Sequence, residues 1–222
     1  MKRLLSTKIL PEPLQDKLMD AGWELTQYNA ISVEVLPVFF DPEDAIVVFT
    51  SKHAVRACVL GSADKGLSGA FSLCVGEKTA SLVREHGGTV LESAPSATEL
   101  ASLISEKYTD KSFVYYCGDR RLDILPEAFD KLQLDWEEVI AYRTKSENRS
   151  FKDPFDAILF FSPSGVESFS SSNSIGPATA YCIGPTTALA ASKHTKRFKT
   201  ADTPGVEALA ALVIKHTNPV KN

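Results

Sequence analysis

Val48-Phe49-Thr50-Ser51-Lys52-His53-Ala54-Val55 and Leu159-Phe160-Phe161-Ser162-Pro163-Ser164-Gly165-Val166 stand 111 residues apart and share one plan. Each closes an apolar run, places hydroxyl residues at the break, and opens a new apolar segment just beyond it. Working outward, Cys74-Val75-Gly76-Glu77-Lys78-Thr79-Ala80 matches Cys182-Ile183-Gly184-Pro185-Thr186-Thr187-Ala188 at a shift of 108. Pro95 through Leu100-Ala101 then matches Pro204 through Leu209-Ala210 at a shift of 109. Three matches in one order at a nearly constant shift mark an internal duplication running through the 222 residues.

Each half alternates strands with helices. Apolar runs bounded by turn residues predict strands over 3–7, 45–50, 71–76, 89–93, 112–117, 157–162, 178–184 and 197–201. Between them, Leu82, Val83 and His86 follow Thr79 at helical spacing and stop at Gly87-Gly88. Leu100, Leu103 and Ile104 line one helical face, as do Leu209, Leu212 and Val213 in the second half. Strands alternating with helices of about 10–15 residues imply parallel sheets covered on both faces, so the fold class is α/β. Two longer extended stretches, 23–40 and 136–145, hold equivalent places in the repeat. If they pair as a two-stranded hinge, the chain crosses between domains twice and one domain is discontinuous. A tandem split near residue 111 fits the same pattern.

Composition removes several function classes. The net charge is −4 and no long basic run occurs, against a nucleic-acid surface. The longest apolar run, Ala45 to Phe49, is far short of the roughly 20 residues that a membrane helix needs. Met1-Lys2-Arg3-Leu4-Leu5 opens like a signal peptide, but no apolar segment follows before Pro11, so a cytoplasmic protein is expected. Cys58, Cys74, Cys117 and Cys182 form no CxxC pair and read as buried thiols, and the four histidines are scattered, so no metal site is expected. Neither GxGxxG nor GxxxxGK[ST] occurs, which leaves a nucleotide cofactor without a motif. No apolar stripe is left over after the helices are assigned, and a monomer is expected.

The candidate chemistry sits where strands end. Thr50-Ser51, Gly76 to Thr79, Ser162 to Gly165 and Gly184 to Thr187 each join a strand end to a helix start. In open α/β sheets, ligands bind beyond the carboxyl ends of the strands, where helix N-termini favour anions. Ser and Thr at such places also serve simply as N-caps. Four turns, two per domain, converging on one cleft would suit a polyanion. Arg120 and Arg121, after Cys117-Gly118-Asp119, can attract an anionic substrate or begin a solvated helix. Tyr142, in Val139-Ile140-Ala141-Tyr142-Arg143-Thr144, either packs in the hinge or donates a proton. A two-lobed α/β binding protein that closes on a small polyanion without chemistry shares all of this except a role for Tyr142.

Phe160 to Val166, Cys182 to Ala190, and Thr203-Pro204 ahead of Glu207-Ala208-Leu209 resemble the uroporphyrinogen-III synthase family. Phe49-Thr50-Ser51 with Ala54-Val55, Val75-Gly76 with Thr79 to Leu82, Cys117-Gly118 with Ile124-Leu125-Pro126, and Tyr142 in its Ala-Tyr-Arg-Thr setting agree. The resemblance implies two flavodoxin-like domains joined by a two-stranded β linker, one formed by residues 1–33 and 147–222, the other by 34–146. It implies a carbon–oxygen lyase that converts hydroxymethylbilane, a linear tetrapyrrole with eight carboxylates, to uroporphyrinogen III. Water is lost, ring D inverts through a spiro intermediate, and neither cofactor nor metal takes part. By motif match Tyr142 would be the proton donor, and Thr50, Ser51, Thr79, Ser162, Ser164, Gly184, Thr186 and Thr187 would bind substrate. One turn departs from the family pattern: Gly76-Glu77-Lys78-Thr79 stands where Gly-Asn-x-Thr is usual, and a carboxylate at Glu77 facing the site would repel the substrate.

Overall fold

A computed structural model describes residues 2–41, 43–63 and 65–217. By internal contacts the chain divides into two compact units. One holds the chain through Ser32 and again from Lys145; the other holds Val33–Thr144.

In the first unit, β1 (Lys2–Ser6), α1 (Glu12–Asp20) and β2 (Trp23–Gln27) come from the start of the chain. From the later part come β9 (Ala157–Phe160), α6 (Pro163–Ser172), β10 (Thr179–Cys182), α7 (Pro185–Ser192), β11 (Phe198–Thr200) and α8 (Val206–Thr217). The sheet order is β2-β1-β9-β10-β11, with every pair parallel. Numbered along the chain within the unit, this is the flavodoxin-like order 2-1-3-4-5. The central strands alternate cleanly. Leu5, Ile158, Phe160, Ala180 and Cys182 enter one core, while Leu4, Ala157, Leu159 and Tyr181 enter the core on the opposite face. That explains why β9 reads as an unbroken apolar run: a strand buried on both faces has no polar side to show.

The second unit contains β3 (Ile31–Val35), which begins just before the boundary, then β4 (Ile46–Phe49), α2 (Lys52–Gly61), β5 (Phe71–Val75) and α3 (Glu77–Glu85). These are followed by β6 (Thr89–Ala94), α4 (Ala97–Lys107), β7 (Phe113–Gly118), α5 (Ile124–Lys131) and β8 (Trp136–Ser146). Its sheet order is β3-β8-β7-β4-β5-β6. Taking β7 and β8 as the first two strands gives 2-1-3-4-5 again, so the duplicated halves carry one topology and differ in where the chain enters it. Val47, Phe49, Cys74 and Tyr116 fill one core, and Ile46, Val48, Leu73, Phe113, Tyr115 and Cys117 fill the other.

All eight predicted strands are present; four end early where the chain turns into a helix start, at Thr50, Gly76, Phe161-Ser162 and Ile183-Gly184, while β6 and β7 run one residue further, to Ala94 and Gly118. The extended stretch 23–40 is corrected in one respect. It is two strands, broken at Tyr28-Asn29-Ala30, where the Tyr28 and Ala30 N–H groups donate to the Ser6 and Thr7 carbonyls. Only β3 lies beside β8; β2 completes the sheet of the first unit instead. The unit boundaries fall within β3 and near the end of β8, so these two strands carry the chain from one unit to the other and back.

Candidate active site

In a sheet of this order the succession of strands reverses between the first and third, and ligands collect beyond the carboxyl ends there. In the second unit that point lies between β7 and β4, and it gathers residues from three neighbouring strands. Thr50 and Ser51 leave the end of β4. Ser51 caps α2, its Oγ accepting from the His53 N–H at 3.2 Å. Thr50 Oγ1 shares a hydrogen bond of 3.2 Å with the phenol of Tyr115, a β7 residue only 2% exposed.

Tyr142 arrives from β8 across Gly118 of β7. The two strands slip register between Cys117 and Gly118, which brings Gly118 opposite Tyr142. A Cβ on Gly118 would stand 2.4 Å from Cε2 and Cζ of the Tyr142 ring and 2.8 Å from its hydroxyl. The missing side chain is therefore the space the phenol occupies. Asp119 pins the backbone on either side: its N–H donates to the Tyr142 carbonyl at 3.1 Å, and its carboxylate accepts from the Thr144 N–H at 2.9 Å. The His53 ring lies 5.5 Å from the Tyr142 ring, centroid to centroid.

Burial raises the pKa of Tyr142 above the usual phenol value, the neighbouring Ser51 hydroxyl offsets part of that, and Cys117 and Asp119 add to the rise. Tyr115 is pushed to about 12, chiefly by burial. Both phenols keep their protons throughout the neutral range. His53 is lowered by burial and by the charges of Arg56 and Lys52, so it stays neutral at pH 7. The site thus presents two protonated phenols and two hydroxyls around one strand end.

The first unit builds the equivalent corner without a tyrosine. Ser162 caps α6, accepting from the Gly165 N–H at 3.0 Å. Thr7, at the end of β1, donates to the Leu159 carbonyl at 2.7 Å. A Cβ on Gly165 would meet Ser162 Oγ at 3.3 Å and Thr7 Oγ1 at 3.7 Å, so these groups surround one glycine. Ser164 is half-buried in the first turn of α6.

The second turn of each unit uses glycine in place of a capping side chain. Gly76 precedes α3 with φ +81, and Gly184 precedes α7; neither helix has a side-chain cap. The Glu77 and Lys78 N–H groups of α3 and the Thr186 N–H of α7, whose Pro185 has none to give, are consequently left for an anion. Thr186 is exposed, whereas Thr79 and Thr187 are only 6% and 1% exposed, and the Thr79 N–H already donates to the Gly76 carbonyl at 3.0 Å. Glu77 does not project as a lone negative charge: Arg84 pairs with it at 2.6 Å and Ser81 donates to it at 3.4 Å. Arg121 is likewise engaged, by Glu138 at 2.6 Å and by Asp123.

The sequence alone does not single out Tyr115, His53, Gly118, Asp119 or Thr7. Thr7 carries a usable signal, a Ser-Thr pair ending an apolar strand; the others depend on which strands are neighbours. All four cysteines are free and buried, and burial raises Cys74, Cys117 and Cys182 to about 12, the behaviour of packed thiols. Among the described residues no cluster of three or more His, Cys, Asp or Glu could hold a metal ion, and no helix is long and apolar enough to cross a membrane.

A family model described as uroporphyrinogen-III synthase HemD matches residues 12–211. The chain belongs to that family. Among solved structures, the uroporphyrinogen-III synthetase of Helicobacter pylori aligns with a TM-score of 0.74 at 21% identity, covering 97% of this chain and 100% of that one. A mutant uroporphyrinogen III synthase from the extremely thermophilic bacterium Thermus thermophilus gives 0.66 at 17% identity, with 98% of each chain covered. At these identities the likeness establishes the α/β fold. A comparison with curated proteins returned no match. The family sets the frame in which the Tyr142 corner is read: a ring-closing enzyme of haem biosynthesis.

Proposed function

We propose that this chain is a lyase that closes hydroxymethylbilane to uroporphyrinogen III. The observation that carries the reading is the protonated Tyr142 phenol, its backbone held by Asp119, seated over Gly118 and beside Ser51 at the switch point of its sheet. The phenol gives its proton to the terminal hydroxyl of the substrate. The C–O bond breaks and water leaves. The electron pairs of the adjoining pyrrole stabilise the resulting azafulvene cation, so the protein need assist only one proton transfer at this step. Attack by the substituted carbon of ring D forms a spiro intermediate. Its fragmentation, recombination at the other position and loss of a ring proton give the closed macrocycle. Substrate and product differ by one water.

Unassisted closure yields isomer I, so selection of isomer III is a matter of geometry, the kind of advantage that fixed orientation supplies. The substrate's carboxylates would be held at the N-termini of α3 and α7, whose first turns contain Thr79, Thr186 and Thr187. Hydroxyls of Thr50, Ser51, Ser162 and Ser164 add further donors, and Gly184 gives the backbone room to approach. The test is incubation with freshly prepared hydroxymethylbilane, oxidation and separation of the porphyrin isomers. Isomer III is expected to dominate; a product distribution identical to the enzyme-free control refutes the assignment.

A further inference from the structure

The duplication supplies an internal control on which residues the fold needs. At the first turn the second unit has Lys52, His53 and Arg56, and the first unit has Pro163, Ser164 and Glu167 in register. At the second turn, Lys78 corresponds to Thr186 across the repeat. One topology therefore forms with these positions cationic and again with them neutral or acidic. The cations are not requirements of folding.

They line one groove. Between α2 and α3 lies a cavity of about 360 Å³ whose walls include Lys52, Arg56 and Lys78. Lys52 and Arg56 stand four residues apart on α2, on the same face. All three cations are exposed, and among the described residues none forms an ion pair with a carboxylate. Of the two acidic residues in the walls, Glu77 is already paired with Arg84, which leaves Glu85. The groove opens at the carboxyl end of the sheet, since Lys52 directly follows Ser51 and Lys78 lies in the first turn of the uncapped α3. Its charge reaches the Tyr142 corner: Lys52 and Arg56 both act on His53, whose ring packs against Tyr142.

We infer that this groove is a carboxylate-binding subsite formed by Lys52, Arg56 and Lys78, which gives a linear polyanionic substrate a preferred end. A duplicated scaffold offers the same hydroxyl and amide corners twice, and so by itself poorly distinguishes the two ends of a chain carrying carboxylates throughout. Cations on one copy remove that ambiguity, placing the terminus that reacts at Tyr142. The identity of the substrate rests on the function proposed above; the binding of a carboxylate in the groove does not.

Two measurements separate these claims. The first is titration of the protein with uroporphyrin III, an octacarboxylate, at low and at moderate salt. The variant Lys52→Gln/Arg56→Gln/Lys78→Gln is expected to bind about tenfold more weakly and to lose most of its salt dependence, as three exposed charge contacts would give. A control with the same charge change at the far end of the first unit, Lys193→Gln/Lys196→Gln/Lys199→Gln, should bind like the parent. Affinity equal to the parent in the groove variant, or an equal loss in the control, overturns the subsite. The second is turnover of hydroxymethylbilane, in which KM of the groove variant should rise about tenfold with kcat within about twofold. A parent protein that binds the octacarboxylate in the groove and makes no isomer III would refute the proposed reaction and leave the subsite standing.

Discussion

Gly118→Ala tests the proposed role of the Tyr142 corner with a single methyl group. The backbone at Gly118 is outside the left-handed region, so alanine brings no conformational penalty of its own. Its Cβ would lie 2.4 Å from two carbons of the Tyr142 ring, where carbons normally rest about 3.5–4.0 Å apart. The ring must retreat by about 1 Å or more, and a displacement of that size at a reacting group can cost about 10²-fold in rate. The crowding itself should cost about 1–3 kcal/mol of stability. We expect kcat for isomer III to fall about 10²-fold, with a native-like circular dichroism spectrum and an earlier midpoint in urea. Tyr142→Phe, which leaves the ring and removes the proton, should lower kcat by about 10²–10⁴-fold. Adding Gly118→Ala to Tyr142→Phe should then change kcat little, because the group it displaces has already lost its proton. Adding it to Tyr142→Ala should carry little stability cost, because the ring is gone. Wild-type kcat in Gly118→Ala, or the same fold loss in the Tyr142→Phe background, would show that the phenol's seat over this glycine has no bearing on the reaction.

Two further outcomes follow from neighbouring groups. Thr50→Val removes the partner of the buried Tyr115 phenol and should destabilise the protein by about 1–3 kcal/mol in urea unfolding; adding Tyr115→Phe should recover part of that loss, and no recovery would mean the bond is idle. His53 titrates below its ordinary value of 6.5 in the folded protein, so as pH falls through 6.5 the unfolded chain takes up its proton first and stability drops, levelling off only below the folded value. His53→Gln should flatten that part of the stability curve, and parallel curves for the two proteins would refute the assignment.

The sheets are legible in the sequence because their central strands are buried on both faces, and Ile46-Val-Val-Phe49 and Ala157-Ile-Leu-Phe160 show it as unbroken apolar runs. The duplication then locates the corners. What one strand pairs with is less accessible: Trp23-Glu-Leu-Thr-Gln27 carries no mark that it belongs beside β1 and not β8. Ser51 and Ser162 are readable as caps, since a hydroxyl between strand and helix has a local partner. The Tyr115–Thr50 bond joins residues 65 apart, and the seat of Tyr142 depends on a register slip against β7; both follow from strand order, not from local pattern. Arg121, by sequence, is free to attract an anion. Glu138 takes it up only because β8 lies beside β7.

The interrupted first unit carries a consequence for biosynthesis. Its strand β1 has β2 on one side, 21 residues ahead, but its other neighbour, β9, is 153 residues downstream. At translation rates of about 5–20 residues per second, that edge waits roughly 8–30 s for its partner. Meanwhile the whole intervening unit can emerge and fold. During the wait Leu4 and Leu5 sit on an unmatched ribbon, a template for mispairing with other nascent chains. Shielding of the amino-terminal strand–helix–strand segment during that interval should therefore raise the yield of folded protein.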